Sequence, residues 1–172
     1  MPTTARTPLA ADTPLFIVLN TGSGNHRGNE VEDSIRRVLD AAGRRYELFK
    51  VGSGSGLESA AQQALERARS EGGAVIAAGG DGTLNAVSNV VLGADVPFGI
   101  LPQGTFNYFG RTYGISQDTD TATRCLLDAV IEPVQVGQLN GRVFLVNASL
   151  GLYPDLLEDR EDYKQRYGRS RW

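Results

Sequence analysis

The stretch AVIAAGGDGTLNAVSN runs from Ala74 to Asn89. It begins as a run of small and β-branched apolar residues and passes through Gly79, Gly80, Asp81 and Gly82. It then resumes with Leu84 and Val87 at helical spacing, continued by Val91 just beyond it. Strand, glycine loop and helix in immediate succession are the unit of a parallel α/β sheet. Ordering three glycines around one aspartate is costly, because glycine loses more backbone freedom on folding than any other residue. Something should need the bare backbone there.

The same rhythm extends to both sides. LFIVLN (Leu15 to Asn20) is a continuous apolar run, as expected of a strand buried on both faces. Val31, Ile35, Val38, Leu39 and Ala42 predict a helix that Gly43 ends; YELFKV (Tyr46 to Val51) predicts the next strand, closed by GSGSG. Leu57, Ala61, Ala64, Leu65 and Ala68 mark a second helix, and Leu92 extends the pattern of the third. FGILP (Phe98 to Pro102) reads as a fourth strand, and a helix is expected from about Asp120 to Val130, with Cys125 in or near the core. The fold class expected is an open, mainly parallel α/β sheet with helices on both faces.

Beyond Glu132 the rhythm changes. Asn140-Gly141 between two β-rich runs is the strongest short hairpin signal. Residues 1–13 read as a disordered lead-in, 14–131 as the α/β domain, and 132–172 as the beginning of a truncated β-rich domain.

Composition sets bounds on function. A chain of 172 residues buries enough surface to need no staples. Its single cysteine excludes an internal disulfide and fits a reducing cytosol. A formal net charge of −3 argues against a general nucleic-acid binder. The N-terminus lacks the apolar core of a secretory signal, and no apolar run approaches the ~20 residues of a membrane span. The expected location is cytoplasmic, with contact at the inner membrane face left open. The charged tail ends in Tyr163, Lys164, Arg166, Tyr167, Arg169, Arg171 and Trp172, a pattern that suits anionic lipid. The acidic Glu158 to Asp162 segment before it favours a solvated helix instead.

Three glycine-bearing loops leave the carboxyl ends of the predicted strands: NTGSGN, GGDGTLN and PQGTFN. Ligands of open parallel sheets bind at that edge. Each loop leads toward a helix N-terminus, which favours an anion. Ser23, Thr83 and Thr105 add hydroxyl donors. The chain has no Walker A sequence, no protein-kinase signature and no dinucleotide fingerprint after its first strand. The residues themselves therefore indicate a phosphate site without naming the ligand.

GGDGTLN (Gly79 to Asn85) together with LPQGTFNYFGR (Leu101 to Arg111) resembles the catalytic domain of the diacylglycerol kinase family, which includes bacterial lipid kinases and sphingosine kinases. GGDGT alone also occurs in NAD kinases; the second motif separates the lipid kinases. The resemblance implies ATP and Mg2+ as cofactors, a lipid acceptor such as diacylglycerol, and a second β-sandwich domain over the acceptor cleft. By match, Asn20, Gly22, Ser23 and Gly24 belong to a first nucleotide loop. Gly79, Gly80, Gly82, Thr83 and Asn85 belong to a second, and Gly104, Thr105 and Asn107 to a third. Asp81 is the catalytic candidate, as base, metal organiser or cap of its own helix. No metal ligand is assigned.

This sequence departs from the family pattern at three places: Thr21 stands for proline, Ala86 for glutamate and Tyr108 for aspartate. Asp81 is then the acidic residue left in these loop motifs. In several family members a distal carboxylate beyond this segment serves as the base, so these residues alone are expected to bind nucleotide weakly and turn over poorly. Two other readings stay open: a kinase of NAD or another small molecule, and a non-catalytic nucleotide- or lipid-binding module. His26 reads as a solvated loop residue, and Arg111 as either a phosphate ligand or a loop-pinning ion-pair partner. The oligomeric state is not written in the sequence.

Overall fold

The computed structural model describes residues 6–22, 28–52 and 56–148. In chain order the elements are β1 (Thr7–Pro8), β2 (Leu15–Asn20), α1 (Gly28–Ala41), β3 (Tyr46–Val51), α2 (Leu57–Glu71), β4 (Ala74–Gly79), α3 (Asp81–Val91), β5 (Phe98–Pro102), α4 (Tyr108–Thr112), α5 (Thr119–Cys125), β6 (Val130–Ile131), β7 (Gly137–Leu139) and β8 (Arg142–Phe144).

Four strands form one parallel sheet in the order β3-β2-β4-β5. Their side chains divide between two cores by alternation. Phe16, Val18, Val75, Ala77 and Ile100 pack against Leu57, Ala61, Ala64 and Leu65 of α2 and Leu84 and Val87 of α3. Leu15, Ile17, Leu19, Ile76 and Leu101 pack against Ile35 and Leu39 of α1 and Ala122 of α5. Helices thus cover both faces, and the central strands β2 and β4 are buried almost throughout. That is why their sequences are unbroken apolar runs.

The strand order carries a topological switch. The chain steps from β2 outward to β3, then crosses back to β4 on the other side of β2. The connections after β2 and β4 therefore leave on opposite faces and open a crevice between Asn20 and Gly79, the place where sheets of this kind take ligands.

Some expectations change. The helix expected from Asp120 to Val130 ends at Cys125. The chain then tightens through three-residue turns, Leu126 N to Thr123 O and Leu127 N to Arg124 O. Val130 and Ile131 are drawn off as β6, antiparallel to β1, with Pro8 opposite Val130. Residues 6–13, expected within a disordered lead-in, hold that strand; residues 1–5 lie outside the described residues. Cys125 is exposed rather than core. Ala122 and Leu126 point inward four residues apart, which turns the intervening Cys125 to solvent. Leu92 falls just past α3 and is exposed as well.

The Asn140-Gly141 hairpin forms as expected, with both residues at positive φ, 50° and 78°. Gly137 lies under the ring of Phe144 across the pair, where a Cβ would come within 2.1 Å of it. Residues 149–172, which include the basic aromatic tail, lie outside the described residues.

Candidate nucleotide site at the sheet edge

At the C-terminal edge of the sheet, the loops after β2, β4 and β5 are tied to one another by their own motif residues. Asn20, the last residue of β2, donates from Nδ2 to the Thr83 hydroxyl of α3 at 2.9 Å. Its Oδ1 accepts from the Gly22 amide at 3.1 Å. Asn20 therefore shapes the first loop and bridges the crevice. Gly22 sits so close to the next loop that a Cβ would lie 2.5 Å from the Gly52 carbonyl oxygen. Ser23, Gly24 and His26 lie outside the described residues.

Close backbone approach explains three of the glycines. A Cβ on Gly79 would fall 2.5 Å from the Thr83 side chain, so this glycine lets α3 turn back directly over the end of β4. A Cβ on Gly104 would fall 2.7 Å from the Cα of Gly80, which packs the second and third loops backbone against backbone. The Gln103 amide also donates to the Gly79 carbonyl at 2.8 Å. Gly82 is different. It is exposed in the first turn of α3, and nothing lies within 4 Å of where its Cβ would be.

Asp81 is the first residue of α3, and the N-cap Gly80 supplies no side-chain cap. The Asp81 carboxylate does not serve its own helix as the capping reading required. It reaches across to the start of α4, accepting from the Tyr108 amide at 3.1 Å and the Phe109 amide at 3.3 Å. The N-terminus of α4, one of the three expected to face an anion, is thus already satisfied by a protein carboxylate. Of the other two, the N-terminus of α3 carries the exposed Gly82 in its first turn and has no side-chain cap from Gly80.

Asn107 is buried and left-handed, with φ 50° and ψ 46°. Its amide accepts from the Gly104 N–H and donates to the Gly104 carbonyl, both at 2.8 Å, and it donates also to Gln117. Its side chain is spent on holding the third loop closed. Thr105 is exposed on that loop. Arg111 is exposed on α4 and makes no ion pair among the described residues. Tyr108, where the family pattern has aspartate, stacks on Phe106 with ring centroids 5.4 Å apart; the two are 53% and 61% exposed.

Asn85 reaches the hairpin. Its Oδ1 accepts from the Leu145 amide at 3.3 Å, just past β8. Sequence reasoning missed its companion Asn89, which bonds Val143, and Gln117, which closes the third loop. The available signal was the pair of asparagines four residues apart on the polar face of α3. Between α2, α3 and β8 lies a groove of about 450 Å³ lined by Glu58, Gln62, Gly82, Ala86, Asn89 and Arg142.

The chain matches the diacylglycerol kinase catalytic domain over residues 14–139. It belongs to that family. A diacylglycerol kinase of Bacillus subtilis (strain 168) is 38% identical over 103 residues, which cover 58% of this chain and 34% of that protein. One from Staphylococcus epidermidis (strain ATCC 12228 / FDA PCI 1200) is 34% identical over 142 residues, 78% of this chain and 42% of that protein. A solved diacylglycerol kinase structure from Bacillus anthracis str. Sterne superposes with a TM-score of 0.66 at 28% identity, over 78% of this chain and 46% of that one. The chain spans less than half the length of these relatives. The fold expected from the sequence, an α/β domain of the diacylglycerol kinase type, is the fold observed.

Proposed function

We propose that this chain is the nucleotide-binding part of an ATP-dependent lipid kinase that transfers the γ-phosphate to a lipid hydroxyl such as that of diacylglycerol. One observation carries the reading. Gly80 and Gly104 pack backbone to backbone while Asn20 bridges to Thr83, so the described parts of the three glycine loops are tied together at the switch crevice. A cradle of peptide N–H groups beside an uncapped helix N-terminus suits the phosphates of a nucleotide.

Phosphoryl transfer depends chiefly on positioning and charge neutralisation. Asn20, Thr83 and Asn107 keep the loops in register, and Gly82 leaves the start of α3 open to close approach. A Mg2+ ion neutralises phosphate charge when bound with ATP, and it is held largely by phosphates and water with one or two carboxylates. Asp81 is the carboxylate these loops offer it. Each oxygen accepts one backbone N–H and retains a second lone-pair direction, so the donor set fits such an ion. The exposed Phe106–Tyr108 pair beside Asp81 offers an apolar surface to a lipid acceptor. Among the described residues no helix is long and apolar enough to cross a membrane, and we place the reaction at the cytoplasmic face where ATP is present.

The engagement of both Asp81 oxygens also favours a second reading, a nucleotide-binding module without turnover. Titration with ATP–Mg2+ followed by thermal unfolding separates the possibilities when paired with labelled-phosphate transfer to diacylglycerol. The expected result is a stabilisation that grows with ligand, about 2.7 kcal/mol at a hundred times Kd, with slow transfer. Stabilisation with no transfer, even with the rest of a full-length protein present, supports the module. No stabilisation overturns the nucleotide site.

A further inference from the structure

We propose that Asn89 is a positioning residue that holds the β7–β8 hairpin on α3, so that the start of the β-rich segment is fixed to the helix whose first turn faces the crevice. The inference rests on the kinase reading for what the tie transmits. The tie itself rests on geometry.

In a hairpin closed by a two-residue turn, the strand residues next to the turn exchange hydrogen bonds and the following pair does not. Leu139 and Arg142 flank the turn, and Gln138 pairs with Val143. The N–H and C=O of Val143 therefore point away from β7, toward α3. Asn89 meets both groups: Oδ1 accepts from the Val143 amide at 2.8 Å, and Nδ2 donates to the Val143 carbonyl at 2.9 Å. Nδ2 is steadied by the Asn85 carbonyl at 2.8 Å. The next outward amide, Leu145, donates to the Asn85 side chain.

The spacings match. Four residues along a helix advance about 6 Å, and two along a strand about 6.8 Å. Asn85 and Asn89 thus stand in for the missing neighbour strand along the outer edge of β8. The same helix face continues to Gly82, and Asn85 is one turn from Asp81. Val143 is buried beneath this contact, and Leu145 packs on the core that α3 shares with α2. A displacement of the first turn of α3 by a bound phosphate is carried along a rigid helix to the hairpin.

Hydrogen exchange on the 172-residue chain tests this with the wild type, Asn89→Ala and Asn89→Asp, each with and without ATP–Mg2+. Without nucleotide, the Val143 and Leu145 amides should exchange at least about tenfold faster in both variants, with α2 unchanged. In Asn89→Asp the ionised carboxylate still accepts from the Val143 amide but repels the Val143 and Asn85 carbonyls, which loosens the contact. The protonated carboxyl donates to the Val143 carbonyl again. Protection relative to wild type should therefore recover as pH falls through about 4. With nucleotide, the hairpin should slow in the wild type and not in Asn89→Ala. Equal hairpin exchange in wild type and Asn89→Ala without nucleotide overturns the proposal, and so does equal slowing by nucleotide in both. If nucleotide protects neither residues 79–85 nor 103–107 in the wild type, the kinase reading falls, and the comparison without nucleotide still decides the tie.

Discussion

A carboxylate in the first turn of a helix is stabilised by that helix's dipole. Asp81 has that position on α3, yet its oxygens are turned toward the Tyr108 and Phe109 amides of α4. It therefore locks the second loop to the third, and under the proposed function it also offers charge to the nucleotide site. Asp81→Asn keeps the shape and one acceptor oxygen while removing the charge. In an active preparation it should lower phosphate transfer at least ~100-fold. Near-normal turnover with a lowered unfolding midpoint would reduce Asp81 to a loop lock. Gly82 offers a cleaner contrast with its neighbours, since neither packing nor φ requires glycine there. Gly82→Ala should stabilise the fold by about 0.5–1 kcal/mol, because alanine loses less backbone freedom in a helix. The same change should weaken ATP binding at least about tenfold if phosphate oxygens approach that backbone. Urea denaturation and ATP titration of one variant read both effects, and unchanged affinity would remove Gly82 from the site. The sequence marked Gly79, Gly80, Gly82 and Gly104 alike. Only the packing separates those required by neighbouring atoms from the one left bare.

At the scale of elements, local signals and tertiary demands compete. The buried strands and α2 were legible because their apolar residues follow one period without interruption, and the Asn140-Gly141 turn because few other dipeptides adopt two positive φ values readily. The end of α5 was not legible. Leu126, Leu127 and Val130 continue a helical pattern, but Val130 is taken by strand pairing with residues more than a hundred positions earlier. The start of α5, by contrast, is set locally. Asp118 accepts from the Thr121 amide at 2.9 Å and the Thr121 hydroxyl at 2.6 Å, and those bonds hold its carboxyl below the usual range. A lowered folded-state pKa stabilises the fold above the unfolded value, and the benefit is lost as pH falls through the folded one. Asp118→Ala should therefore lower the unfolding midpoint at pH 7, and the difference from wild type should shrink as pH drops below about 4. A difference independent of pH would assign the effect to something other than the carboxylate.

Across the whole molecule, the edge opposite the site holds an arginine under the N-terminal segment. Arg44 is buried, donates to the Ala11 carbonyl and leaves Nε and the other terminal nitrogen without a partner among the described residues. Burial also pushes its pKa down, against the opposing charge of Asp12. A buried cation satisfied by so few bonds adds little net stability. Arg44→Met should leave the urea midpoint unchanged or higher, and a loss above about 1 kcal/mol would show that the Ala11 bond outweighs the desolvation. The α/β class, the parallel sheet, the two-sided core and the glycine loops at one sheet edge were determined by the sequence alone. Each follows from periodicity or from glycine at a strand end, and such signals are local in the chain. The tertiary structure alone decided the strand order that opens the crevice, the turning of Asp81 toward α4, the burial of the Asn107 amide within its own loop and the grip of Asn85 and Asn89 on β8. All of these but the Asn107 loop join residues tens of positions apart, and their energies come from hydrogen bonds and close approaches that exist only once the elements have packed.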